Sequence, residues 1–149
     1  ASAIVKGIRK NCREMISVPI PFLGVRGIRY LARDIRGWPA KLGDKKAALH
    51  LGQFIRMQEE IGTGGAGFRF IYAAFLQEAS KILNKPRLQE LSENMTDCGD
   101  RWREFAVMAA RIIKNRSGEG ESYEAMSAIL LEIADREQAI FKELRKAVT

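Results

Sequence analysis

Apolar residues recur at steps of three and four along nearly the whole chain, and no stretch alternates apolar with polar residues between turns, so the pattern predicts an all-α protein. In a first helix, roughly 2–16, Ile4, Ile8, Cys12 and Met15 share one stripe, with Lys6, Arg9, Lys10 and Arg13 beside it. Pro19 and Pro21 end it, because proline lacks an N–H and disfavours α geometry in the preceding residue. A second helix, about 23–36, carries Val25, Ile28, Leu31, Ala32 and Ile35 on its apolar side and Arg26, Arg29, Arg33 and Arg36 on the adjacent edge. Gly37-Trp38-Pro39 closes it, and Gly43-Asp44 offers an N-cap for a third helix, about 45–61. That helix is expected to bury Ala47, Leu51, Phe54, Ile55 and Ile61, with Gly62 as the residue that terminates it.

The fourth helix, about 66–83, has the widest apolar face: Phe68, Ile71, Tyr72, Phe75, Leu76, Ala79, Ile82 and Leu83, which places it at the centre of the core. Asn84-Lys85-Pro86 stops it and starts the next. From Leu88 the positions Leu91, Met95, Cys98, Trp102, Phe105, Ala109 and Ile112 fit one helix of roughly 29 residues, with Thr96 and Gly99 as weak points where it could kink. Arg116–Ser122 reads as a loop. The last helix, about 122–147, aligns Met126, Leu130, Ile133, Ile140 and Leu144, and Glu137 falls within that seam. Short connectors imply a compact bundle of about six helices, the two long C-terminal ones lying antiparallel across it.

At 149 residues, 46% of them apolar, the chain makes one domain with one core and needs neither disulfides nor a metal. Cys12 and Cys98 sit on apolar stripes and form no C-x-x-C pair, so they read as buried hydrophobes of a reduced, cytoplasmic protein. No segment is apolar enough for a membrane span, and the N-terminus lacks the apolar run of a signal peptide. The net charge of +7 is uneven: residues 1–46 carry eleven Lys and Arg against three acids, and residues 47–149 fourteen against fifteen. The basic excess on the first two helices is either an ordinary solvated face or a surface for an acidic partner. Duplex DNA is disfavoured, since no helix-turn-helix sequence is present, and few aromatics lie near the patch to stack single strands.

Catalytic chemistry is scarce. His50 is the single histidine and has no acid or nucleophile arranged around it, and no His/Cys/Glu spacing suggests a metal or a cofactor. Two features remain. Glu137 is the one acid at a core position, and burial demands a partner, with Arg69 or Arg101 the candidates at a core edge. Alternatively it lies near the Gly62-Thr63-Gly64-Gly65 turn and orders it. The turn itself is either a tight corner between helices or an anion site, its bare N–H groups at a helix N-terminus. On the second view Thr63, Gly64, Gly65, Arg69, Tyr72 and Glu137 are the ligand-binding candidates. Donors already spent on the preceding helix would remove that option.

In order and spacing, MISVPIPFLGVRGIRYLARDIRGW, IGTGGAGFRFIYAAFLQEA and LLEIADREQAIFKEL resemble the C-terminal helical domain of the butirosin biosynthesis protein H-like family, from about Met15 to Leu144. The most specific part is Gly62–Gly65 followed by Phe68, Arg69 and Tyr72. The resemblance implies that the chain is the C-terminal part of a longer protein, an acyltransferase whose cysteine-peptidase-like catalytic domain precedes it and takes acyl groups from an acyl carrier protein. Cys12 does not stand in for the missing nucleophile, so the chain is expected to be inactive alone. It would position the acyl donor or the substrate, with the basic helices receiving the acidic carrier. The alternative is a structural or protein-interaction domain with no ligand, which dimerises or covers an acidic partner.

Overall fold

The computed structural model describes residues 1–149, all helix and connector: α1 (Ser2–Ile16), α2 (Gly24–Ile35), α3 (Trp38–Leu42), α4 (Asp44–Glu59), α5 (Arg69–Leu83), α6 (Pro86–Ile113) and α7 (Tyr123–Ala147). The all-α bundle expected from periodicity is present, and α6 is its axis. Leu88, Leu91, Met95, Cys98, Trp102, Phe105 and Ala109 are all buried along one unbroken 28-residue helix. Pro86 occupies its first turn, where a missing N–H costs nothing.

Helix α7 runs antiparallel to α6. The pairs Arg87–Glu143 (3.5 Å) and Arg101–Glu132 join the two helices in reverse order, and Arg111 near the end of α6 reaches Glu121 just before α7 (3.2 Å). Ser122 caps α7 by accepting from the Ala125 N–H at 3.0 Å. Helices α4 and α5 pack on α6, whereas α1 and α2 lie mainly on α7.

Neither Thr96 nor Gly99 breaks α6. The Thr96 hydroxyl donates back to the Ser92 carbonyl at 3.2 Å. Gly99 makes room for the Phe70 ring of α5, because a Cβ there would stand 2.6 Å from its Cε1. Gly99→Ala should therefore cost about 1–3 kcal/mol through displacement of the Phe70 ring. A lower urea midpoint at unchanged slope is the expected result, and an unchanged midpoint would mean that Phe70 moves freely.

Four departures from the sequence reading matter. Trp38 and Pro39, read as a stop, begin the short α3: proline fits its first turn, and the Trp38 indole N–H donates to Asp34 at 2.9 Å. Those N–H and Lys41 contacts hold the Asp34 carboxyl below its usual range. Helix α4 stops at Glu59, before the expected 61, and leaves Ile61 exposed. The Glu60 and Ile61 N–H groups both bond the Arg56 carbonyl, the second across five residues, which widens the last turn before Gly62. Helix α5 starts at Arg69 and not at 66. Its apolar face is also split: Leu76 and Ala79 are buried, but Phe68, Ile71, Phe75 and Ile82 are exposed. The stripe is too wide for one helix–helix contact, and α6 covers only half of it.

The basic edge is partly spoken for. Arg9 donates to the Val148 carbonyl at 2.8 Å, Arg29 pairs with Asp135 at 2.8 Å and Gln138 at 2.6 Å, and Arg36 lies 3.4 Å from Glu124. These contacts seat α1 and α2 on α7. Lys6, Arg13, Arg26 and Arg33 form no ion pair and remain as the outward cations.

Candidate functional site

The glycine turn between α4 and α5 winds left-handed. Gly64, Gly65, Ala66, Gly67 and Phe68 all have positive φ, between 51° and 84°. Glycine accepts this freely, whereas Ala66 and Phe68 each cost about 1–2 kcal/mol in that region. Side chains hold the turn in place. The Thr63 hydroxyl donates to the Gln58 carbonyl at 2.6 Å and accepts from the Gly65 N–H at 3.2 Å. The Ala66 N–H donates to the Glu59 carboxylate at 3.2 Å, and the Arg69 guanidinium donates to the Gly67 carbonyl at 2.6 Å.

Three of the N–H groups around the turn are already spent within the chain. The Gly62 N–H goes to the Glu60 carbonyl at 3.0 Å, the Gly65 N–H to Thr63, and the Ala66 N–H to the carboxylate of Glu59. At Ala66 a carboxylate from the chain itself takes the place an incoming anion would need. The Glu59 charge would also repel a second one.

Beneath the turn lies a buried polar network. Glu137 is 0% exposed and receives two guanidinium hydrogen bonds from Arg69, at 3.0 and 2.7 Å. The Trp102 indole N–H donates to it at 2.7 Å, and the Cys98 thiol lies 3.6 Å away. The same guanidinium sits 5.1 Å from the centroid of the Trp102 ring. Both candidate readings of Glu137 meet here, since it pairs with Arg69, and Arg69 in turn pins the Gly67 carbonyl. It is not an edge residue, and Arg101 is not its partner, being taken by Glu132 and Glu104.

Electrostatics keep these groups in fixed states. Burial opposes the Arg69 charge, but Glu137 outweighs it, and the arginine stays cationic. Burial pushes the Cys98 thiol well up, and the neighbouring Glu137 charge adds to this, so it remains S–H. Cys12 is raised by burial as well. Neither thiol is primed as a nucleophile. His50 is exposed beside Trp38, away from the turn.

Among the sequence candidates, Thr63 and Arg69 line one cavity of about 230 Å³ with Gln58, Gly67, Phe68 and Trp102. Gly64 is exposed, and its α-carbon faces Ile71, whose Cδ1 would lie 2.8 Å from an added Cβ. Tyr72 is not part of the Glu137 network. It lies on the other side of Phe68, where with Asn11, Met15, Met95 and Phe141 it lines a cavity of about 190 Å³. Sequence reasoning missed Gln58, Glu59 and Trp102. For Trp102 a signal existed: an indole N–H at a core position needs an acceptor, and Glu137 is the one core acid. Glu59 gave none, since a glutamate at a helix end normally points into water.

A family model described as a domain of unknown function, DUF4872, matches residues 1–144. The chain belongs to the DUF4872 family. The match takes in every helix except the last few residues of α7, so the turn, the Glu137 network and both cavities belong to the DUF4872 domain itself. No curated protein and no solved structure matches this DUF4872 chain. No helix in it is long and apolar enough to cross a membrane.

Proposed function

We propose that this DUF4872 chain is a non-catalytic helical domain that positions an acyl donor or substrate for chemistry performed by residues outside it. The observation that carries the reading is the contrast at the turn. A strained, fully braced left-handed segment and a satisfied buried ion pair hold Phe68 at the mouth of two cavities. The nearby thiols, meanwhile, are kept in their unreactive forms by burial. Bracing of this kind suits a surface whose shape must not change. The resemblance to the butirosin biosynthesis protein H-like family supplies the rest of the proposal: a preceding catalytic domain and an acyl carrier protein, whose acidic surface would meet Lys6, Arg13, Arg26 and Arg33. An anion grip by the turn is no part of it, because the Gly62, Gly65 and Ala66 N–H groups are already bonded within the chain.

A second reading, as an interaction domain without a ligand, is favoured by exposed apolar side chains outside the cavities, at Ile61 and Ile82. One experiment separates the two. In the full-length protein, Phe75→Ser on the exposed face of α5 should lower kcat/KM for acyl transfer about tenfold through misplaced substrate. The isolated chain should turn over no acyl thioester. Turnover by the isolated chain, or unaltered kcat/KM together with loss of a dimer in sedimentation velocity, would overturn the positioning role.

A further inference from the structure

Residues 17–23, which join α1 to α2, turn apolar side chains toward water. Ile20, Phe22 and Leu23 are exposed by 45%, 64% and 51%, and Tyr30 on α2 by 48%. The Phe22 and Tyr30 rings meet edge-on at 5.0 Å, so loop and helix form one continuous patch. The loop is also held in shape. Pro19 and Pro21 restrict its backbone, and the Leu23 N–H bonds the Ile20 carbonyl at 3.3 Å. Gly27 lets it lie against α2, where a Cβ would stand 2.6 Å from the Phe22 carbonyl oxygen.

The rim of this patch is cationic. Between Glu14 and Asp34 the chain holds no acid, and those two are taken by Lys10 at 3.8 Å and Lys41 at 3.3 Å. Arg26 and Arg33 stand either side of Tyr30 on the exposed face of α2, and neither forms an ion pair. Arg145 reaches the Ser17 hydroxyl at 3.3 Å and has no acid partner either. An anionic partner fits, and two features say which kind. Single-stranded nucleic acid needs open aromatic faces, but Ile20 and Leu23 are aliphatic, and Phe22 and Tyr30 already pack on each other. Hydrocarbon offers no acceptors, so a loop that enters a bilayer must carry few free N–H groups. Pro19 and Pro21 have none and that of Leu23 is spent, a condition that a protein partner would not impose.

We infer that the α1–α2 corner seats the protein on an anionic lipid bilayer, with Ile20, Phe22 and Leu23 entering the headgroup–acyl boundary and Arg26, Arg33 and Arg145 meeting lipid phosphates. The binding is peripheral, since no helix is long and apolar enough to cross a membrane. It goes beyond the positioning reading and does not rest on it. The two share Arg26 and Arg33, so a carrier and a bilayer would meet those arginines in turn.

The test is co-sedimentation of the 149-residue chain with vesicles of phosphatidylcholine and phosphatidylglycerol, against vesicles of phosphatidylcholine alone. Binding to a single-stranded oligonucleotide is measured in parallel at the same salt. The mixed vesicles should bind at least about tenfold more tightly than the neutral ones, and less tightly as salt rises. Ile20→Ser combined with Leu23→Ser should weaken that binding about tenfold by removing the apolar tip. Arg26→Gln combined with Arg33→Gln should weaken it about 25-fold, at roughly fivefold per arginine. All four side chains are exposed, so both variants should keep the melting temperature of the parent. No binding to the mixed vesicles, equal binding to the neutral ones, or undiminished binding by the Ile20→Ser, Leu23→Ser variant would overturn the bilayer site. Tighter binding to the oligonucleotide than to the mixed vesicles would overturn it as well and give the face to nucleic acid.

Discussion

Glu137→Ala should destabilise the domain by about 3 kcal/mol, the lower end of what breaking a buried ion pair costs. For a chain of this size that is roughly 6–12 °C in melting temperature. The cost comes less from the lost attraction than from what remains. Arg69, 22% exposed, would keep its charge with one carbonyl for company, and the Trp102 indole N–H would have no acceptor. With Arg69 released, the Gly67 carbonyl loses its tether and the left-handed turn loses a brace. Amide hydrogen exchange in residues 63–69 should rise along with the fall in Tm. The paired change Arg69→Met with Glu137→Leu should recover most of the stability, because a buried pair is commonly replaceable by apolar residues of similar volume. Equal melting temperatures for Glu137→Ala and the parent would show that Glu137 does not support the turn.

The second large effect is expected at Gly24, the first residue of α2. Its φ is +60°, and a Cβ would stand 2.4 Å from the Met15 carbonyl oxygen and 2.8 Å from that of Glu14. Both are backbone atoms at the end of α1, so no rotamer change can relieve the clash. Gly24→Ala combines left-handed strain with forced separation of α1 from α2, which adds to about 2–4 kcal/mol. Chemical denaturation should register that loss. Near-UV circular dichroism should report the accompanying shift around Phe22 and Tyr30, whose rings meet edge-on 5.0 Å apart. A change of less than about 1 kcal/mol would mean that the α1–α2 corner is loosely held.

How far periodicity carries depends on the number of neighbours a helix has. Helices α6 and α7 are packed along their whole length, so one stripe defines the buried side of each, and every stripe residue from Leu88 to Ala109 and from Met126 to Leu144 is buried where the spacing puts it. Helix α5 has a face broader than its single large contact with α6, and a pattern of apolar residues does not say which of them will be covered. The turn posed a different difficulty. Gly62, Gly64, Gly65 and Gly67 announce positive φ, but that Ala66 and Phe68 would join them follows only from bonds supplied by Glu59, Thr63 and Arg69.

By itself the sequence determined that this chain is an all-α bundle, where most helices begin and end, and that Glu137 must find a partner, because helical period, turn chemistry and the cost of burying a charge are local or general properties. Only the tertiary structure decided that the partner is Arg69, that Glu59 takes the Ala66 N–H of the turn, and that Gly7 faces Phe75 across an open groove. Each of these depends on which side chains meet across 7 to 68 residues of chain, and such distances are set by how the helices pack, not by the period along any one of them.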